Sequence, residues 1–374
     1  MFYRPSRMEI YPQNLAFNYR LLAQTLAPSR IMGVIKADGY GHGILAVAGA
    51  LKSAGCRHFA VATVDEALYL RACGISETIL ILGACGSFET AEIVRQNLSV
   101  TVTDLAFARE LNKAALKLGR KASVHLALDT GMGRLGFLPH QFRQALAAVQ
   151  EMHALSIDGL FSHFASADEL CRGSMDEQFL LFQEAAALTK TMTPRPLLHL
   201  ANSAGALREP RYRLDCCRIG MALYGFWPSE FIAPVLPLKP TFSVKSSIAA
   251  LRDLPPGSGV SYGSRYHTKS DEKIAVVPLG YADGLSRSFS GQIELLIGGK
   301  RCKQVGNICM DQLMVDVTSL PKVAVGDEVV VIGRQGDQEI TAAEFVSHRP
   351  HTIIYEAPIL FTSRVPRVSM EVKG

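Results

Sequence analysis

The chain has 374 residues, 48% of them hydrophobic and 20% charged, a balance that excludes general disorder and supplies a full buried core. Thirty-nine basic residues against thirty-four acidic ones leave a formal charge of +5 with no long basic block. Nothing therefore calls for nucleic acid or an anionic membrane, while a small anionic ligand suits it.

No apolar run approaches the roughly 18–20 residues of a membrane span. The opening Met1-Phe2-Tyr3-Arg4-Pro5-Ser6-Arg7 lacks the apolar stretch and cleavage site of a secretion signal. Eight cysteines contain no C-x-x-C pair and no histidines at zinc spacing. The expectation is a reduced cytoplasmic protein with no metal site.

At about 150 residues per domain, the length predicts two domains, or one barrel with an appendage. In chain order the pattern predicts a strand at 31–37, a helix at 42–54, a strand at 59–63 and a helix at 65–72. It continues with a strand at 78–83, a helix at 88–96, a strand at 98–103 and a helix at 105–118. Next come a strand at 123–129, a helix at 139–152, a strand at 157–164 and a helix at 176–190. Strands at 197–201 and 214–219 flank a weakly helical stretch at 202–212.

Eight strands with helical connections predict an α/β fold whose parallel sheet closes as a (β/α)8 TIM barrel, ahead of an open doubly wound sheet. After Trp227 the character changes: prolines between Pro228 and Pro256 interrupt any helix, and strand-like runs follow at 242–251, 273–278, 293–297, 313–317 and 328–332. The expected organisation is a barrel over 1–235 and a C-terminal, mostly β-strand domain over 236–374, joined near 228–240. The first ten residues could serve either domain.

A barrel carries its site at the C-terminal ends of its strands, commonly with phosphate held after strands seven and eight. Lys36, Arg134, His163, Ser203, Arg218 and Gly220 occupy those ends. The set lacks a metal cage and an acidic pair, and it suits an anionic cofactor bound through a lysine. Lys36 follows the apolar Val34-Ile35, where desolvation favours the neutral amine that forms a Schiff base. The competing reading is a lysine whose charged end leaves the strand for solvent.

Gly131-Met132-Gly133-Arg134-Leu135-Gly136 fits the dinucleotide pattern G-x-G-x-x-G of an NAD-dependent dehydrogenase. However, Phe137-Leu138-Pro139 separates it from the next helix, and it follows the fifth strand rather than the first.

A series of segments resembles the alanine racemase family, the pyridoxal-phosphate enzymes of fold type III. They are Val34-Ile35-Lys36-Ala37-Asp38-Gly39-Tyr40-Gly41-His42-Gly43, Asp129 to Gly136, Ser162-His163-Phe164-Ala165, Ala201-Asn202-Ser203 and Arg218 to Gly225. Val260-Ser261-Tyr262-Gly263, Leu279 to Gly284, Cys309-Met310-Asp311-Gln312 and Tyr355-Glu356 continue the resemblance through the β half.

The resemblance implies an enzyme that interconverts L- and D-alanine with pyridoxal 5'-phosphate, supplying D-alanine for peptidoglycan. It implies that Lys36 carries the cofactor and acts as one base. Tyr262 would be the second, reaching the opposite face of the substrate Cα from the partner subunit of a homodimer. Inversion of a stereocentre needs two distinct acid/base groups. A phenol near pKa 10 needs cationic neighbours for that task, and His163 and Arg218 are the expected ones.

The same resemblance places Arg218 against the cofactor's pyridine nitrogen, with a salt bridge to Asp215 or another carboxylate as its ordinary alternative. It gives Tyr40, Ser203, Tyr355, Gly220 and Met221 to the phosphate, and Arg134 and Met310 to the substrate carboxylate. Arg134 would also bond the cofactor's phenolic oxygen, and Tyr281 would line the entrance or simply pack.

Two positions depart from the family. Ala127 stands where many members carry a carbamylated lysine that pairs with the arginine, so Arg134 is expected to take a bound anion or another carboxylate. Asn307 stands where an arginine is common. The alternatives are a racemase of serine or a basic amino acid, a decarboxylase of related fold, and a noncatalytic pyridoxal-phosphate-binding protein.

Overall fold

The computed structural model describes residues 3–171, 173–229, 232 and 236–370. The chain divides into two compact units. One comprises Gln13–Gly39 and Ile44–Pro240; the other comprises the segment ending at Pro12, Tyr40–Gly43 and everything from Thr241 onward. The expected division at 235/236 touches residue 235, which lies outside the described residues.

Strand β1 (Arg7–Ile10) is followed by eight strands of the first unit. These are β2 (Arg30–Val34), β3 (His58–Val61), β4 (Thr78–Ile81), β5 (Ser99–Val102), β6 (Ala122–Ala127), β7 (Leu155–Phe161), β8 (Leu197–His199) and β9 (Cys216–Ile219). All neighbours are parallel, in the order β8-β7-β6-β5-β4-β3-β2-β9. The seam is closed by Asp215 N–H donating to the Leu198 carbonyl at 3.1 Å and Arg218 N–H to the Ala201 carbonyl at 3.0 Å.

The predicted (β/α)8 barrel is therefore the observed fold of this unit. Its strands are buried on both faces, β5 and β9 without exception, as a parallel sheet covered by helices requires. Each predicted strand overlaps an observed one, within two residues at its start. The first stops at Val34 rather than at 37, because the chain turns left-handed after Lys36.

A helix at Pro12–Leu26 opens the unit. Proline starts it without losing a helical hydrogen bond, and Leu15, Tyr19, Leu22 and Leu26 recur on one buried face. Asn18 is buried among them because its amide donates to the Leu223 and Lys239 carbonyls at 3.0 and 2.8 Å and accepts from Lys239 N–H.

The second unit is mostly β. Its strands are β10 (Phe242–Ser247), β11 (Ala250–Leu254), β12 (Gly259–Val260), β13 (Tyr266–His267), β14 (Glu272–Val277), β15 (Glu294–Ile297), β16 (Lys300–Val305), β17 (Leu313–Asp316), β18 (Glu328–Gln335), β19 (Gln338–Ile340) and β20 (Arg367–Ser369). The main sheet runs β11-β14-β17-β16-β15-β18-β10-β1-β20, with β19 on β18.

The expected barrel segment 1–235 thus overreaches at its start. Arg7–Ile10 pairs antiparallel with Phe242–Lys245 and parallel with Arg367–Ser369, so its backbone bonds belong to the second sheet. β12 and β13 form a separate short hairpin, with Val260 packed in a cluster with Ile274, Val305 and Met314.

Candidate active site

The first cluster lies on the C-terminal side of the barrel strands. Lys36 follows β2 and is half-buried; burial and the Arg134 charge lower its amine pKa, while Glu66 opposes them. The Arg134 loop is shaped by Asp129, whose carboxylate accepts the backbone N–H groups of Gly131, Met132, Gly133 and Arg134 at 2.9–3.0 Å. Phe137 then bonds back to Ala127, and the next helix begins only at Pro139. The glycine run is therefore a loop and offers no helix N-terminus to a dinucleotide.

Arg218, on β9, is 3% exposed and lies in a ring of acceptors. Its Nη1 donates to His199 Nδ1 and the His199 carbonyl, both at 2.9 Å. Its Nη2 donates to the carbonyls of Ser162 and Leu200 at 2.6 and 3.0 Å and to His163 Nδ1 at 3.0 Å. Both terminal nitrogens are filled, and Nε–H is the one donor without a partner among the described residues. Burial lowers the guanidinium pKa to about 10, which leaves it charged at neutral pH. Asp215 instead pairs with Arg195 at 2.6 Å, so the ordinary salt-bridge reading of Arg218 does not hold.

A guanidinium only donates, so it fixes the rings around it. His199 Nδ1 must accept from Arg218; its Nε2–H then donates to His125 Nδ1, 2.8 Å away. Burial, followed by Asp158 acting in the opposite sense and by the Arg218 charge, takes His125 to about 4. Burial and the charges of Arg218, Arg134 and Lys36 take His163 to about 3. His163 is thus a neutral imidazole at neutral pH, which corrects the expectation of a cation there. Phe161 stacks on His199 at 4.9 Å and lies under the Arg218 guanidinium.

Ser203 starts the short helix Ser203–Arg208, and its hydroxyl oxygen accepts Gly220 N–H at 3.2 Å and Ala222 N–H at 3.5 Å. Gln178 ties the neighbouring loops: its amide donates to the His163 carbonyl at 2.9 Å and to Thr130 Oγ1 at 3.2 Å, and accepts from Ala165 N–H. Met221 comes one residue after β9, past Gly220, and opens a short turn of 3-10 helix.

The second unit holds the remaining residues. Tyr40 and Tyr355 face each other with ring centroids 6.3 Å apart, and burial raises the Tyr40 phenol to about 12, so it remains a donor. Tyr262 is 70% exposed, at the tip of the β12–β13 hairpin. Its turn is sharp, with Ser261, Gly263 and Ser264 all at positive φ.

Asn307 holds that turn. Its amide donates to the Tyr262 carbonyl at 2.6 Å, and its own carbonyl accepts from the Ser261 hydroxyl at 2.5 Å. The departure at 307 therefore has a local role. Met310 is exposed; its carbonyl accepts from Ala282 N–H, and its own N–H makes no hydrogen bond among the described residues. The half-exposed Tyr281 donates its N–H to the Cys309 carbonyl.

Among the described residues no cluster of histidine, cysteine or carboxylate could hold a metal ion, and no helix is long and apolar enough to cross a membrane. The alanine racemase N-terminal domain model matches residues 10–228, and the C-terminal domain model matches 241–369. The chain belongs to the alanine racemase family.

It is 38% identical over 369 residues to alanine racemase 2 of Caldanaerobacter subterraneus subsp. tengcongensis, covering 98% of this chain and 95% of that one. It is 40% identical over 369 residues to the alanine racemase of Halothermothrix orenii, covering 97% and 96%. Its fold matches the solved alanine racemase of Clostridium difficile 630 with a TM-score of 0.94 at 35% identity, over 100% of this chain and 97% of that one.

Membership in the alanine racemase family makes the chain a pyridoxal-phosphate-dependent isomerase. The unpartnered Arg218 Nε–H fits that cofactor, because it offers a ring nitrogen one N–H that nothing else uses. The noncatalytic and dehydrogenase alternatives fall with the family match over both domains.

Sequence reasoning named Lys36, Arg134, His163, Ser203 and Arg218 but not His125, His199, Gln178 or Glu66. The strand periodicity marks positions 125 and 199 only as core.

Proposed function

We propose that the chain interconverts L- and D-alanine by a two-base mechanism in which Lys36 and Tyr262 serve opposite faces of the substrate. The observation that carries this is the Arg218 arrangement: a charged donor with one free N–H, on the same barrel rim as a lysine whose amine is driven toward neutrality. Bound pyridoxal phosphate supplies an electron-withdrawing ring that acidifies the Cα–H of the amino acid attached to it.

Lys36 would hold the cofactor through its amine, and its Nζ would take or return the Cα proton on one face. Tyr262 Oη does the same on the other face. Its exposure supports donation to a partner subunit, and the active form is a homodimer. Arg218 donates from Nε to the pyridine nitrogen and keeps its proton, since a guanidinium near pKa 10 does not surrender it at neutral pH. That tempers the electron sink and favours proton return over other outcomes.

By the family resemblance Ser203, the Gly220 and Met221 amides, Tyr40 and Tyr355 would hold the phosphate, and Arg134 would bond the phenolic oxygen. Arg134 and the Met310 N–H orient the substrate carboxylate, with a small anion standing in for the carboxylate that Ala127 lacks. The product feeds peptidoglycan in the cytoplasm.

The test is Cα deuterium incorporation from solvent, with chiral analysis, for L-alanine, L-serine and L-lysine. Exchange with inversion for alanine alone supports the reading. Exchange confined to serine or lysine keeps the chemistry and replaces the substrate; exchange with none overturns it.

A further inference from the structure

Ala37, Asp38, Gly39 and Tyr40 have φ of 53°, 53°, 63° and 52°. This is a left-handed run that only glycine enters without steric cost. Three of the four are not glycine, so bonds must hold them there. Gly39 N–H donates to the Ile35 carbonyl at 2.9 Å, and Asp38 Oδ1 accepts Ile44 N–H at 2.8 Å. Neither bond touches the residue next to the lysine.

That residue is tied from another βα unit. Ala37 N–H donates to Glu66 Oε1 at 2.6 Å. Glu66 is the third residue of the helix Val64–Ala72 and closes a capping box with Thr63. The box uses the other oxygen: Oε2 accepts Ala62 N–H at 2.8 Å and Thr63 N–H at 3.4 Å. One carboxylate therefore caps its own helix with one oxygen and grips the turn after β2 with the other.

We propose that Glu66 is a positioning residue for Lys36, its carboxylate clamping the left-handed turn after the lysine to the loop after β3 and so fixing where the amine points. The proposal rests on the assignment of Lys36 made above. The groups that face Lys36 among the described residues are Arg134 from the loop after β6, His163 after β7, and Glu66. Glu66 is the negative one. Its charge raises the amine pKa against burial and Arg134, and removing it lets that pKa fall further.

The experiment strips the full-length chain of cofactor and follows pyridoxal phosphate uptake, by absorbance, as a function of pH. It compares the parent with Glu66→Ala, Glu66→Gln and Glu66→Ala combined with Ala37→Gly. Loss of a charged hydrogen bond predicts about ten-fold weaker cofactor affinity in Glu66→Ala. The midpoint of the uptake rate against pH is expected to move down in both Glu66 variants.

Glycine is at ease at φ 53°, so Ala37→Gly should restore most of the affinity in the Glu66→Ala background. It should leave the midpoint low, because the charge is still missing. Parent-like affinity and midpoint in Glu66→Ala overturn the proposal. An affinity loss that Ala37→Gly does not recover also overturns it, by assigning the effect to the helix cap alone. If Glu66→Ala does not fold, Glu66→Asp, which keeps the charge but is one methylene short of the Ala37 N–H, decides through cofactor affinity, and a parent-like value overturns the proposal. A parent that fails to capture cofactor, or a Lys36→Ala variant that captures it normally, would instead sink the assignment of Lys36 itself.

Discussion

Lowering the pH from 7 to 5 should destabilise the barrel through its buried neutral histidines, before any carboxylate contributes. His125 and His163 have native pKa values of about 4 and about 3, against an ordinary 6.5. As pH falls below 6.5 the unfolded chain takes up protons that the native barrel refuses, so stability drops with falling pH. One pKa unit is worth about 1.36 kcal/mol, so 1.5 units give about 2 kcal/mol for each ring at pH 5. The two together remove about 4 kcal/mol from the 5–15 kcal/mol typical of a domain.

The carboxylates held below their ordinary range, such as Glu9 and Glu77, begin to lose stability only near 4.5 and leave this window clear. The assay is equilibrium urea unfolding at several pH values. The single tryptophan, Trp227, belongs to the same unit as these histidines and reports it. Histidine ring resonances recorded in parallel identify the groups. A urea midpoint unchanged between pH 7 and 5, or rings 125 and 163 titrating near 6.5, would refute the reasoning.

Three further outcomes follow from the geometry. Tyr262→Phe should lower kcat/KM equally from either enantiomer, whose energies are equal, but change the Cα isotope effects of the two directions unequally, since Tyr262 removes the proton in one direction and returns it in the other; isotope effects measured from each enantiomer read this. Asn307→Leu, which leaves the Tyr262 carbonyl without its donor, should lower kcat about ten-fold while leaving cofactor affinity unchanged; kinetics beside cofactor titration separate the two. Replacing chloride in the buffer with a bulky organic anion should raise KM for alanine, because Ala127 gives Arg134 no carboxylate and a small anion is expected there. A KM independent of the anion would remove that role.

The barrel was legible because each of its strands is a short, locally apolar run between helical stretches, and that pattern needs no knowledge of distant partners. The opening helix Pro12–Leu26 has its own signal, a proline start and apolar residues at helical spacing, but lies ahead of the strand–helix alternation that begins at residue 31. β1 was ambiguous for a sounder reason: four residues cannot declare which sheet they join, and its partners lie at Phe242–Lys245 and Arg367–Ser369.

The site followed the same division. Lys36 and Arg218 could be found at strand ends, but the reason Arg218 points one N–H outward lies in carbonyls of residues 162, 199 and 200, which no motif records. Glu66 was hidden twice, as an ordinary capping-box residue and by its distance in sequence from Ala37.

The placement of β1 also bears on synthesis. Arg7–Ile10 leaves the ribosome before every barrel strand, yet its antiparallel partner begins at Phe242 and its parallel partner ends at Ser369. At 5–20 residues per second, about 230 residues take roughly 10–50 s, long enough for the barrel strands to pair while β1 waits. A strand made before the whole barrel is thus among the last to find its sheet. Lengthening the chain between them delays that closure without touching either domain's core.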